Sequence, residues 1–130
     1  MIKKIKKYLL PAGQKRLKTH QKGEQAEFSL LYDDLEVGRL LFNGSEWIFK
    51  YSDDFKKTQP IKPLANFPDL MKIYKSESLW PFFSSRIPSL SRKSILKRIR
   101  KNDIDSSDLI ALLKLFGANS ITNPFRLEVK

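Results

Sequence analysis

Between Ala26 and Tyr51 the chain reads "AEFSLLYDDLEVGRLLFNGSEWIFKY", and this stretch constrains the fold more than any other. Phe28, Leu30 and Tyr32 alternate with other side chains, and so do Trp47, Phe49 and Tyr51 farther on. A period of two belongs to a strand with one buried side, because successive side chains point to opposite faces. Two turn signals divide the alternation. Asp33-Asp34 reads as a tight turn, and Asn43-Gly44 is a strong hairpin signal because both residues tolerate a left-handed backbone. Residues 26–32, 35–42 and the stretch "EWIFKYS" therefore predict an antiparallel meander.

Beyond the meander the period changes. Residues 56–70, "KKTQPIKPLANFPDL", hold Pro60, Pro63 and Pro68 and no helical repeat, which predicts an extended connection with an edge strand at 61–65. "SESLWPFFSSR" predicts a short helix, with Ser76 or Ser78 as N-cap and Pro81 in its first turn. "SRKSILKRIRKN" predicts a helix capped by Ser91, apolar along Ile95, Leu96 and Ile99 and basic elsewhere. "DSSDLIALLKLFG" predicts a third, with Asp105 or Ser106 as N-cap, a stripe of Leu109, Leu112, Leu113 and Phe116, and Gly117 as C-cap. "NPFRLEV" reads as a closing strand with Phe125, Leu127 and Val129 on one face. The expected fold class is α+β: a small antiparallel sheet, made of the N-terminal meander and the C-terminal strand, packed with about three α-helices.

The net charge of +11 is concentrated in two blocks. Residues 1–23 carry Lys3, Lys4, Lys6, Lys7, Lys15, Arg16, Lys18 and Lys22 without an acid. Residues 86–101 carry Arg86, Arg92, Lys93, Lys97, Arg98, Arg100 and Lys101, again without an acid. Two basic blocks on a slightly acidic body invite an anionic partner, whereas the plainer reading is a tail and a solvated helix face. In the first block Ile2, Ile5 and Leu9 recur at helical spacing, but Pro11 and Gly13 stop that helix early. The expected organisation is a basic, mobile N-terminal tail at 1–23 and one domain at 24–130. The apolar segment "YLL" is too short for a secretory signal, and no apolar run approaches a transmembrane length. A cytoplasmic location is expected, and the absence of cysteine fits a reducing compartment.

Residues suited to catalysis are scarce. Without cysteine there is no thiolate nucleophile or thiolate metal site, and His20, the single histidine, lies between Lys18 and Lys22 in the basic tail. The pairs Asp33-Asp34 and Asp53-Asp54 fall at predicted turns, where Asp serves the backbone rather than a substrate. No GxxxxGK[ST] or GxGxxG motif is present. No enzyme activity, no cofactor and no metal are expected. Nucleic-acid binding is the stronger rival. The basic helix followed by "SSDLIALLKLFG" superficially resembles a DNA-reading helix pair, but the second helix lacks the Arg, Asn or Gln side chains that pair with base edges. Phosphate contact suits the charge, and base readout is not indicated.

Taken in order, these segments resemble the N-terminal subdomain of HipA-type serine/threonine kinase toxins. "LEVGRLLFNGSEWIFKY" matches a Val-Gly-x-Leu, glycine turn, Phe-x-Tyr pattern through Val37, Gly38, Leu40, Gly44, Phe49 and Tyr51. "PIKPLANFPD" resembles the family's proline-bearing segment. "LWPFFSSRIPS" resembles its aromatic helix, with Phe82, Phe83, Ile87 and Pro88 in place and Arg86 where the pattern is apolar. "DSSDLIALLKLFGANS" resembles the helix that ends in glycine before the last strand. The resemblance covers about residues 26–129, nearly the whole folded part. The kinase core is absent from the chain, as in the free-standing HipS-type antitoxins of three-gene HipBST systems.

That resemblance implies an antitoxin that neutralises a HipT-like serine/threonine kinase toxin by occupying the place of its missing N-terminal subdomain. It leaves room for a HipB-like DNA-binding protein in a ternary complex, and gives no role to a membrane. Two other functions stay open: a regulatory subunit that completes the kinase and supports its activity, or a basic nucleic-acid-binding accessory. Phe83 and at least one aromatic neighbour are expected in the core. Trp80 precedes Pro81 at a helix start, a rim position, and tryptophan is a frequent interface anchor. Trp80 is therefore expected to face outward, and the expected partner-binding set is Trp80, Pro81, Phe82, Arg86, Lys97, Arg98 and Lys101. Deleting residues 1–23 is expected to leave a cooperative thermal transition, because that segment has little apolar content with which to dock. Loss of cooperative melting in the truncated protein would contradict this division.

Overall fold

The computed structural model describes residues 24–120 and 123–130. The basic segment 1–23, with the short helix expected there and His20, lies outside the described residues. The expected meander forms where the alternation places it, as β1 (Ala26–Tyr32), β2 (Leu35–Phe42) and β3 (Trp47–Tyr51). In the first turn Asp33 adopts φ 53°, a left-handed conformation that Asp tolerates better than most residues. In the second, Gly44 reaches φ 104°, and the Asn43 side-chain oxygen accepts the backbone N–H groups of Ser45 and Glu46, each at 2.9 Å. Gly38 meets a different demand. A Cβ there would lie 2.5 Å from the Lys50 carbonyl and 2.8 Å from the Phe49 ring, so the close approach of β3 requires a residue without one.

The closing strand returns to the sheet as expected. It is an edge strand, Phe125–Val129, antiparallel to β1. The opposite edge is not at 61–65, which is irregular. It is the three-residue strand β4 (Tyr74–Ser76), antiparallel to β3, and the closing strand is β5. Pro60 and Pro63 flank Ile61 and Lys62, and a proline has no N–H to give to a ladder. The sheet order is β4-β3-β2-β1-β5. Its register stacks Phe28, Leu40 and Phe49 in one row and Leu30 and Leu127 in another, all fully or almost fully buried on one face.

Among the described residues four helices accompany this sheet. The first, α1 (Asp53–Thr58), was not expected. Its signal is nonetheless local: the Ser52 hydroxyl accepts the Phe55 N–H at 3.0 Å, two aspartates occupy the first turn, and two lysines the last. The aromatic helix α2 spans only Pro81–Ser84. Neither Ser76 nor Ser78 caps it. The proline ring disfavours a helical conformation at the preceding residue, so Trp80 stays extended at ψ 148° and becomes the N-cap. Helix α3 (Lys93–Lys101) starts at Arg92 without a side-chain cap, since the Ser91 hydroxyl pairs with that of Ser89 instead. Helix α4 (Leu109–Phe116) is capped by Asp108, whose carboxylate accepts the Ala111 N–H at 3.1 Å, while Asp105 accepts from Ser107. Gly117 is its C-cap, as expected.

Helix α4 is apolar on two sides and divides the interior. Ile110 and Leu113 join the main core on the sheet, whereas Leu112 joins Ile95 and Ile99 of α3 in a second, smaller cluster. The stripe expected from Leu109 through Phe116 is therefore shifted. Ile110 is buried, while Leu109 and Phe116 are half-buried at the margins.

Tyr51 fastens the proline-bearing connection to the sheet. Its hydroxyl donates to the Phe67 carbonyl at 2.5 Å and accepts the Leu64 N–H at 2.9 Å. Burial pushes its pKa up to about 12, above the ordinary 10.0. The unfolded chain therefore releases this proton first, so Tyr51's share of stability is complete below pH 10 and is lost as pH rises towards about 12. Tyr51→Phe is expected to cost about 1–3 kcal/mol at neutral pH, by leaving two buried backbone groups unpaired. It should also flatten the loss between pH 10 and about 12. Denaturant titrations of both proteins across that range would show it, and equal slopes would refute it.

Candidate functional site

The side chains expected to bind a partner fall into three different environments. Trp80, Pro81 and Phe82 form the first. The Trp80 ring stands edge-on to Phe67, with centroids 5.0 Å apart and planes at 77°. Phe67 is fully buried, so one side of Trp80 is seated on the core and the residue is half-buried rather than free. The Trp80 carbonyl accepts the N–H groups of Phe83 and Ser84 at 2.9 and 3.0 Å, which fixes its backbone as the start of α2. Pro81 is exposed. Phe82 is half-buried, edge-on to both Phe83 and Phe125, and its N–H reaches the Asn66 side chain at 3.3 Å. Phe83 is fully buried, as expected.

The connection beneath Trp80 adds two side chains that the sequence reading passed over. Met71 is 75% and Ile73 56% exposed, and both lie between Phe67 and β4. Tyr74, next in the chain, also packs edge-on to Phe67, at 5.0 Å. The signal was available in "DLMKIYK", where apolar residues stand in a stretch with neither a helical nor a clean strand period.

Arg86 forms the second environment. It is only 5% exposed. Its Nε donates to the Gly117 carbonyl at 2.5 Å, and its terminal nitrogens donate to the carbonyls of Ala118 and Phe125 and to the Asn123 side chain. Burial lowers its pKa, yet guanidinium remains charged in proteins. These bonds join the end of α4 to the start of β5. Arg86 faces inward, and each nitrogen of its head group bonds to the chain itself.

Lys97, Arg98 and Lys101 form the third, on α3. All are exposed. Arg98 lies over the Phe116 ring, 4.8 Å from its centroid. Helix α3 rests on the second cluster, whereas Trp80 and Phe82 pack against the main core. The structure thus does not gather the seven residues into one surface.

Nothing among the described residues forms a group of His, Asp or Glu able to hold a metal ion. The acidic pairs have local tasks: Asp33 turns the first hairpin, and Asp53 and Asp54 open α1. On the outer sheet face Arg39 joins Glu27 at 2.8 Å and Glu36 at 2.9 Å, and Ser29 donates to Glu36 at 2.6 Å. Burial raises the Glu36 pKa, but the hydrogen bonds from Ser29 and Arg39 outweigh it and the net shift is downward. A carboxylate held ionised in this way is a poor proton donor. No helix among the described residues is long and apolar enough to cross a membrane.

A small α+β domain with a five-stranded antiparallel sheet and an aromatic helix start is the class of protein these features define. The family model for the HipA N-terminal domain matches residues 28–121, and the chain belongs to that family. That family is a non-catalytic subdomain of HipA, and membership in it points to a HipA-related toxin–antitoxin component. Comparison with curated proteins gave no match.

The Arg86 arrangement makes a direct prediction. Arg86→Ala is expected to lower stability by about 3 kcal/mol, because hydrogen bonds from a charged donor contribute about 1.5–3 kcal/mol each and are not additive. Arg86→Lys should recover only part, since an ammonium cannot span carbonyls on both segments. A denaturant midpoint unchanged in Arg86→Ala would refute the clamp.

Proposed function

We propose that the chain is a cytoplasmic antitoxin without catalytic activity of its own, which neutralises a HipT-like serine/threonine kinase by occupying the place of the kinase's N-terminal subdomain. The observation that carries this reading is Trp80. In a HipA N-terminal domain, a tryptophan is held at a helix start, edge-on to the buried Phe67 ring and only partly exposed. Half-burial supports an anchor role, because a ring whose position is already fixed loses little freedom when a partner covers it. Pro81 and Phe82 flank the anchor, and Pro81 stiffens the backbone that presents it. Kinase lobes must close around nucleotide and magnesium. A protein that binds the open arrangement better than the closed one holds the enzyme inactive, and an aromatic group set between the lobes is a direct means.

Trp80→Ala is expected to leave the protein folded while abolishing neutralisation of the cognate HipA-like kinase. In the free protein it removes one edge contact with Phe67, worth about 0.5–1.5 kcal/mol beyond the area it covers. In the complex an anchor tryptophan contributes about 2–4 kcal/mol, which is roughly a thirty- to thousand-fold loss of affinity. Phe83→Ala should behave oppositely, with a cavity costing about 3–5 kcal/mol of stability. Thermal melts beside a growth-rescue assay separate the two. Full rescue by Trp80→Ala, or kinase activity that rises on addition of the parent protein, would overturn the proposal.

A further inference from the structure

Arg92, Lys93, Lys97, Arg98, Arg100 and Lys101, the cations of α3 and its cap, are all exposed. The ion pairs among the described residues involve Arg39, Lys56 and Arg126, and none involves α3. No Asp or Glu occurs between Glu77 and Asp103. Nor does local stability explain the charge. Arg92 and Lys93 stand at the helix start, the end whose dipole favours anions, without an acid in the first turn or a side-chain cap. Lys93, Lys97 and Lys101 are four residues apart, so they form a row with a step of about 6 Å along one side of the helix.

We propose that α3 binds the phosphate backbone of double-stranded nucleic acid without reading its bases. Phosphate contact needs cations and neutral donors, and the exposed Ser91 and Ser94 hydroxyls stand among these lysines and arginines. Other anionic partners fit less well. A membrane-surface helix inserts an apolar face, but α3 buries Ile95 and Ile99 inside the protein. A protein interface needs apolar anchors and is depleted in lysine at its centre, whereas the outer face of α3 is rich in lysine and offers no exposed anchor. Single strands call for exposed aromatic platforms, and the one aromatic ring beside α3, Phe116, is covered by Arg98. Helix α3 packs on the second cluster, and Trp80 packs against the main core.

The test uses the full chain, two labelled duplexes of unrelated sequence, and fluorescence anisotropy over a range of salt. Both duplexes are expected to bind equally. A Lys93→Gln/Lys97→Gln/Lys101→Gln variant should keep its thermal transition, bind at least about tenfold more weakly, and show a log K versus log[salt] slope shallower by about 2–3. A Lys3→Gln/Lys4→Gln/Lys6→Gln variant controls for the other basic block. Unchanged affinity and slope in the α3 variant would overturn the proposal. So would loss confined to the Lys3/Lys4/Lys6 variant, or an α3 variant that loses kinase binding but keeps duplex binding.

Discussion

The Phe67 ring is the point on which the rest of this structure rests, although it lies in a segment with no regular secondary structure. It stacks on Phe49 of the central sheet at 4.2 Å, meets Tyr74 of the edge strand and Trp80 of the helix start at 5.0 Å each, and lies 6.1 Å from Phe83. A residue between Pro63 and Pro68 would have little reason to hold one position by itself. The Tyr51 hydroxyl supplies that reason by bonding the backbone on both sides of Asn66 and Ala65, at Phe67 and Leu64. A buried hydroxyl with both of its bonds made is a directional constraint, whereas aromatic packing alone leaves rotation open. The sheet thereby fixes the connection, and the connection fixes the seat of Trp80.

The meander and the return of the last strand were legible in the sequence because their causes are local and periodic. Phe28, Leu30, Trp47 and Phe49 announce a buried face by spacing alone, and Asn43-Gly44 announces the turn between two strands. The edge strand was misplaced because a three-residue strand has no period to read. Tyr74–Ser76 is a strand only because β3 offers it an open ladder. Helix α1 was legible in principle through Ser52, Asp53 and Asp54, but acidic residues at a turn and at a helix start look alike until Phe55 is seen to be buried.

The candidate site was legible by residue type rather than by placement. Trp80 next to Pro81 was identifiable as a helix start, and the structure keeps it there. Its half-buried state depends on Phe67, thirteen positions earlier in the chain, which no local pattern reports. Arg86 shows the opposite failure. In a list of charges it belongs with Lys97 and Lys101, but in space it belongs with Gly117 and Phe125. Charge predicts exposure only until a set of backbone carbonyls converges on one point, and that convergence comes from tertiary structure.

Separating the interior into two clusters has a consequence for how the surfaces can evolve. The ring that seats Trp80 belongs to the main core, so a change there is transmitted through Phe67 to the sheet and is constrained by stability. Helix α3 packs through Ile95 and Ile99 against Leu112, and among the described residues its cations join no ion pair, Arg98 lying instead over the Phe116 ring. Its outward charges can then accumulate at small cost, since substitutions at exposed sites away from caps and cores shift stability by about 0.5 kcal/mol or less. The unfavourable cations at the start of α3 fall within what two buried isoleucines can offset, each side chain contributing about 1.5–3 kcal/mol when buried. A tryptophan packed against the main core and a charged helix resting on a smaller cluster are thus two parts of one domain under different physical constraints.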